Sequence, residues 1–291
     1  MFNSKFKKEN IIVGDITIHT VHGGDGEPLL LLHGYPQTHL MWNMIAATLA
    51  EDFYLVCPDL RGYGDSSKPE GLPDHSNYSK RVMAEDMVGV MEQLGFKSFR
   101  AAGHDRGGRV LHRMCLDHTD KVLKACVMDI APTHHMFTTA DKEFATGYYH
   151  WFFLIQPDGL PEKLIGRDPE YFLTEILKRW SGKNKDFHPD AVREYTRCFS
   201  DPDCIHGSCE DYRAASTVDL IHDEEDMDKK ISCPLLVLWG NEGFVHRKYD
   251  VLATWKERAV NVTGKALDSG HFLPEENPGQ VLAELIGFLK S

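Results

Sequence analysis

Apolar positions follow two periods along this chain. In the N-terminal third they come in short β-branched or aliphatic runs separated by turn residues. Ile11–Val13 and Ile16–Val21 flank Gly14-Asp15, which predicts a hairpin, and Gly23-Gly24-Asp25-Gly26 reads as a turn. Pro28–His33 (PLLLLH) is apolar without alternation, the pattern of a strand covered on both faces. Helical spacing predicts helices over about Trp42–Leu49 and Arg81–Leu94. Between them lie a strand, Phe53–Pro58, and a turn-rich loop, Asp59–Gly64. Phe99–Gly103 is a short strand that runs directly into His104-Asp105-Arg106-Gly107-Gly108 and another helix, and Val122–Ile130 is strand-like.

The pattern then changes. Residues 133–213 are rich in aromatics, His and Pro, with short helical stretches and no strand signal. Strand signals return at Pro234–Trp239 and Val262–Leu267, and a final helix is predicted over Pro278–Leu289. Strands alternating with helices imply an α/β fold, a mostly parallel central sheet flanked by helices. Residues 1–132 and 214–291 then form the core, and 133–213 form a helical insertion, a lid or cap over the strand ends.

Composition narrows the classes. With 291 residues, 42% hydrophobic and 26% charged, the chain can bury a sizeable core and is not compositionally disordered. A formal charge of -12 is the wrong sign for a general nucleic-acid binder. Purely apolar runs such as Leu29–Leu32 fall far short of the roughly 18 residues a membrane span needs. The N-terminal stretch has lysines but no apolar core of a signal peptide. Seven cysteines, an odd number with no C-x-x-C pair, read as free thiols in a reducing cytoplasm. Cys198, Cys204, His206 and Cys209 match no zinc spacing.

Gly103-His104-Asp105-Arg106-Gly107 has the G-x-nucleophile-x-G form between a strand and a helix. That turn usually presents Ser. Asp105 in its place forms an ester through its own carboxylate, which points to displacement at an sp³ carbon and not to acyl transfer. His33-Gly34-Tyr35-Pro36 follows a buried strand and is placed to supply the Tyr35 backbone N–H to an oxyanion hole, with Arg106 N–H as the second donor. His271, in the loop before the last helix, is the candidate base and must be neutral to act as one. Its orienting acid is Asp129 or Glu242. Asp129 is preferred, because an Asp ending a buried strand needs a partner.

The segments HGYPQTHLMW, GHDRGGR, MDIAPT, YHWFFLIQP, CEDYRA and SGHFLPEENP together resemble the fluoroacetate (haloacetate) dehalogenases of the α/β-hydrolase superfamily. They are spread along nearly the whole chain in the family's order. The resemblance implies Asp105 as nucleophile, His271 as base and Asp129 as its acid. It also implies Arg106 and Arg109 as a carboxylate clamp, and His150, Trp151 and Tyr212 as donors to the departing halide. Tyr35 stands where the family commonly has Phe, and Trp180 is a candidate pocket wall. The expected partner is a small anionic haloacid, without nucleic acid, membrane, metal or organic cofactor. A homodimer is implied by the resemblance alone.

The residue types suit that chemistry. A carboxylate approaching an anion meets like-charge repulsion, and two always-charged, fork-shaped guanidiniums offset it. Fluoride leaves poorly, so fixed N–H and O–H donors must meet its developing charge. Other readings stay open. An epoxide hydrolase would use Asp105 and His271 with two lid tyrosines, drawn from Tyr148, Tyr149, Tyr171, Tyr195 and Tyr212. Two further readings are a dehalogenase that takes chloro or bromo acids but not fluoroacetate, and a binding module that binds without turnover.

Overall fold

The computed structural model describes Phe2, residues 4–183 and residues 187–291. Eight strands form one sheet: β1 (Phe6–Val13), β2 (Ile16–Gly23), β3 (Glu27–Leu32), β4 (Phe53–Pro58), β5 (Phe99–His104), β6 (Val122–Met128), β7 (Leu235–Gly240) and β8 (Val262–Leu267). Their order is β1-β2-β4-β3-β5-β6-β7-β8. β1, β2 and β4 pair antiparallel, and every later pairing is parallel. The predicted hairpin turns at Gly14, whose φ of 58° is the left-handed conformation such a turn requires.

Burial explains the two kinds of strand. Leu29–Leu32 in β3 and all of β7 are buried, because helices cover both faces of the parallel part. β1, at the edge, is mostly exposed or half-buried. The core helices are α1 (Asn43–Leu49), α2 (Lys80–Gln93) and α3 (Asp105–Asp117). Between β6 and β7 run α4 (Thr133–Thr138), α5 (Lys142–Gly147), α6 (Tyr149–Phe153), α7 (Leu160–Ile165), α8 (Pro169–Trp180), α9 (Pro189–Phe199), α10 (Pro202–Ser216) and α11 (Val218–Glu225). No strand interrupts that helical run among the described residues, and it continues past residue 213 to Glu225. After β7 come α12 (Phe244–Lys248) and α13 (Val251–Lys256), and after β8 come α14 (Leu273–Glu276) and α15 (Pro278–Lys290).

The chain order reverses between β3 and β5. In open α/β sheets the crevice at such a reversal, at the carboxyl ends of the strands, is where ligands bind. Here those ends carry the two sequence motifs side by side: Leu32 pairs with Gly103, and α3 starts at Asp105. The first turn of α3 is pressed against the end of β3. Gly107 donates its N–H to His33 O at 2.9 Å, and a Cβ at Gly107 would lie 2.4 Å from that oxygen and 2.5 Å from Leu32 O. Gly34 is equally confined, since a Cβ there would come within 2.5 Å of the Asp105 Cβ.

Gly107→Ala therefore has to push α3 off β3. The variant should lose about 1–3 kcal/mol of stability in urea unfolding, the usual cost of overpacking. An unchanged midpoint would mean that the turn tolerates separation from β3.

Candidate active site

Asp105 sits at the tip of the β5–α3 turn with φ 46°, a left-handed conformation that a non-glycine residue adopts only under constraint. It is buried, and its Oδ1 has no hydrogen-bond partner within the protein. Oδ2 lies 3.6 Å from His271 Nε2. Burial alone would raise the carboxyl's pKa. The His271 ring and the Arg109 and Arg106 guanidiniums overcome that and hold it well below the usual carboxylate range.

His271 Nδ1 lies 2.6 Å from Asp129 Oδ2. Asp129 also has a positive φ, 51°, where the chain turns off the end of β6. Its other oxygen accepts the Gly240 N–H at 3.0 Å, so the end of β7 fixes the carboxylate. Glu242, the alternative acid, is bound to a different group. It accepts the Lys183 N–H at 2.8 Å and pairs with Lys183 Nζ at 3.2 Å. Burial pushes the His271 pKa down, but the two adjacent aspartates prevail and raise it to about 9.

The loop around His271 is held by groups that sequence reasoning missed. The His271 N–H donates to Trp180 O at 2.9 Å, and His104 Nε2 donates to His271 O at 2.7 Å. Glu276 accepts three backbone N–H groups: Gly270 at 2.9 Å, Phe272 at 2.8 Å and Gly182 at 2.8 Å. Glu275 binds Gln37 Nε2 and the Tyr195 hydroxyl, and burial raises its pKa to about 8. The only sequence signal for either role is an acidic pair next to an otherwise apolar loop.

The two arginines differ in how they are held. Arg106 is fully engaged on one edge by Asp211: Nε donates to Oδ2 at 2.8 Å, Nη2 to Oδ1 at 2.8 Å, and Nη2 to the Asp211 carbonyl at 2.9 Å. Asp211 also accepts from the Tyr63 hydroxyl at 2.7 Å and pairs with Lys80. Arg106 Nη1 is buried without a partner, and the guanidinium lies 4.1 Å from the Tyr212 ring centroid. Arg109 has no carboxylate partner among the described residues. Its Nη1 donates to Ala131 O and Thr133 Oγ1, each at 3.0 Å, and its Nε is buried and unpartnered. The guanidinium sits 4.7 Å from the Trp151 ring centroid. Burial lowers its pKa, and the nearby Asp105 charge opposes that shift.

The structure brings His150, Trp151 and Tyr212 together. The Tyr212 ring is 5.8 Å from His150 and 6.3 Å from Trp151, centroid to centroid. His150 Nδ1 and the Tyr212 hydroxyl are buried without partners. Burial drives the His150 pKa down to about 3, so the ring is neutral, and it drives the Tyr212 phenol well up, so the phenol keeps its proton. Both are therefore available as donors.

Tyr35 belongs to the same chamber. The Gly34 contact places its loop beside Asp105, and Arg106, second residue of α3, has a backbone N–H with no intrahelical acceptor. The Tyr35 ring, given no role in the sequence reading, packs 5.4 Å from Tyr212, and its hydroxyl is buried without a partner. Trp180 lies 4.4 Å from His150 and 5.3 Å from His271. Of the five tyrosines weighed for epoxide chemistry, Tyr149 and Tyr171 are exposed and Tyr195 is bound to Glu275, leaving Tyr148 and Tyr212 at the chamber. Cys198, Cys204 and Cys209 are buried free thiols, and His206 pairs with Glu162. Among the described residues the group that meets metal-ligand spacing is His19, His39 and Asp59, where His39 already bonds Asp59 at 2.8 Å.

Residues 27–278 match the α/β hydrolase fold family. The chain is 46% identical over 285 residues to a fluoroacetate dehalogenase of Burkholderia sp, covering 98% of this chain and 94% of that protein. It is 32% identical over 286 residues to a soluble epoxide hydrolase of Corynebacterium sp. (strain C12), covering 95% of each. A solved α/β hydrolase from Nostoc sp PCC 7120 superposes with a TM-score of 0.97 at 58% identity, over 98% of both chains.

Asp211→Asn leaves the Arg106 guanidinium buried without its carboxylate. We expect a loss of about 3–5 kcal/mol in denaturant unfolding, as for other broken buried pairs. A loss below about 1 kcal/mol, typical of surface pairs, would mean that Asp211 does not carry the charge balance.

Proposed function

This chain belongs to the haloacetate dehalogenase family of the α/β-hydrolase superfamily and is a hydrolase acting on carbon–halide bonds, and we propose that it converts a haloacetate, with fluoroacetate as the first candidate, into glycolate. The observation that carries this reading is the buried Arg109 guanidinium, which makes no ion pair with any described carboxylate and feels the Asp105 charge only from beyond contact distance. A buried, unpaired charge is expensive, and an anionic substrate supplies the missing partner. A neutral epoxide would leave that charge uncompensated. Residues 133–213 serve in this reading as the cap over the core.

The reaction runs in two steps. With its carboxylate on Arg109 and the free edge of Arg106, the substrate presents its methylene carbon to Asp105. An Asp105 oxygen forms a C–O bond as the C–X bond breaks, giving a glycolyl ester and halide. The halide leaves on the side opposite Asp105, toward His150, Trp151 and Tyr212, whose N–H and O–H groups meet the developing charge. Water then attacks the Asp105 ester carbonyl while His271 Nε2 takes its proton. The backbone N–H groups of Tyr35 and Arg106 hold the oxyanion. Collapse breaks the ester C–O bond: the glycolate oxygen takes the proton from His271, and the Asp105 carboxyl then loses its own proton to regenerate the carboxylate. The net change is haloacetate plus water to glycolate, halide and a proton.

The pKa of His271 explains the timing. In the resting enzyme the two aspartates hold the ring protonated at neutral pH, with a pKa of about 9. A charged imidazolium supports the anionic nucleophile but is no base. Esterification removes the Asp105 charge, so one of the two raising influences disappears and burial draws the pKa down. His271 becomes a base only once there is an ester to hydrolyse.

Purified protein should release fluoride, chloride or bromide from the matching haloacetate and form no diol from styrene oxide; the reverse result would favour the epoxide reading. Asp105→Asn should abolish turnover, and a single turnover in heavy-oxygen water should label the peptide carrying Asp105. Glycolate without that label would rule out the ester. Arg109→Leu should raise KM for haloacetate roughly 10–100-fold, the worth of a hydrogen bond to a charged group, and unchanged kinetics would remove the clamp. In Asp105→Asn, which mimics the uncharged ester, the His271 imidazole followed by NMR should titrate at lower pH than in the wild type, because one of the aspartates that raise its pKa has lost its charge. An equal or higher value would remove the charge coupling.

A further inference from the structure

A cavity of about 90 Å³ reaches His271 from the surface. At its inner end are Tyr148, Trp180 and His271, with Trp180 5.3 Å from His271 and 6.3 Å from Tyr148 between ring centroids. At its outer end stand Arg179 and Arg247, both exposed, and Glu242. Water occupies about 30 Å³ per molecule in the liquid, so the space suits one molecule of a few heavy atoms. Three larger cavities, about 580, 640 and 430 Å³, are lined by none of Asp105, Asp129 or His271.

The charges at this mouth run against those of the chain as a whole, whose formal charge is -12. Glu242 is covered by Lys183, and Arg179 bonds Glu175 through Nε at 3.0 Å. Arg247 has no carboxylate partner among the described residues, and its guanidinium lies 5.9 Å from the Phe244 ring centroid. Of the residues that line the cavity, Arg179 and Arg247 bring two positive charges to the opening and Glu242 brings one carboxylate, itself paired with Lys183. An acidic surface repels a small anion. A local positive opening with low-dielectric walls focuses the field and raises the anion's local concentration.

We propose that this cavity is the port through which the anionic substrate reaches Asp105, and that Arg179 and Arg247 recruit the anion to it. The proposal rests on the anionic-substrate reading above and adds the route and the residues that serve it. Neither arginine touches the reacting atoms. Their effect is on capture, which ionic strength screens.

The test is stopped-flow association of fluoroacetate, followed by tryptophan fluorescence, at low and high ionic strength. Arg179→Gln/Arg247→Gln should associate about three- to tenfold more slowly than wild type at low salt, within the range of electrostatic steering, and the gap should close at high salt. A control, Arg167→Gln/Arg193→Gln, removes the same charge from exposed positions that do not line the cavity and should associate as wild type does. Equal slowing by both pairs, or no slowing by the first, overturns the port. Halide release by wild type is measured in parallel. Its absence would sink the dehalogenase reading, whereas association rates report on the port with or without turnover.

Discussion

A carboxylate must stay ionised where burial works against ionisation. Asp105 is shut away from water, yet the nucleophilic role proposed for it requires an anion. The nearby positive charges, His271, Arg109 and Arg106, reverse the penalty. Each of them needs support in turn. Arg106 is anchored by Asp211, Asp211 by Tyr63 and Lys80, and His271 by Asp129. Arg109 alone makes no ion pair among the described residues, and the proposed anionic substrate would fill that gap. In that reading, recognition and catalysis share one electrostatic network.

The fold provides that network with a rigid frame. Asp105 and Asp129 both adopt left-handed backbone conformations at the ends of adjacent parallel strands. Such strain, of order 1–3 kcal/mol per residue, persists only where surrounding packing leaves no alternative. Here Gly107 against His33 and Gly34 against Asp105 leave no room for a side chain, and the Gly240 N–H fixes the Asp129 carboxylate.

Much of this was legible in the residues. The buried strands are continuous apolar runs, and β4 and β8 fall on the segments that periodicity picks out. The nucleophile turn, the H-G-Y-P loop and His271 are local patterns, so they could be read without coordinates. What stayed hidden is long-range. Asp129 and Glu242 both follow strand ends, and only the turn at Asp129 and its bond to β7 separate them. Arg106 and Asp211 are 105 residues apart in sequence, and nothing local pairs them. Helix α11 lacks a marked polar–apolar pattern, with one buried residue, Asp219, and went unread. Tyr35 was assigned a backbone role, while its ring forms part of the chamber wall because α10 brings Tyr212 against it.

The main-chain bond from His271 to Trp180, with Glu276 tying Gly270 and Phe272 to Gly182, makes the base and the helical insertion one mechanical unit. The imidazole is thus held from two sides, its ring by Asp129 and its main chain by the end of α8. A substitution that shifts the Trp180–Gly182 segment therefore reaches His271 through the backbone, without touching Asp105 or Asp129.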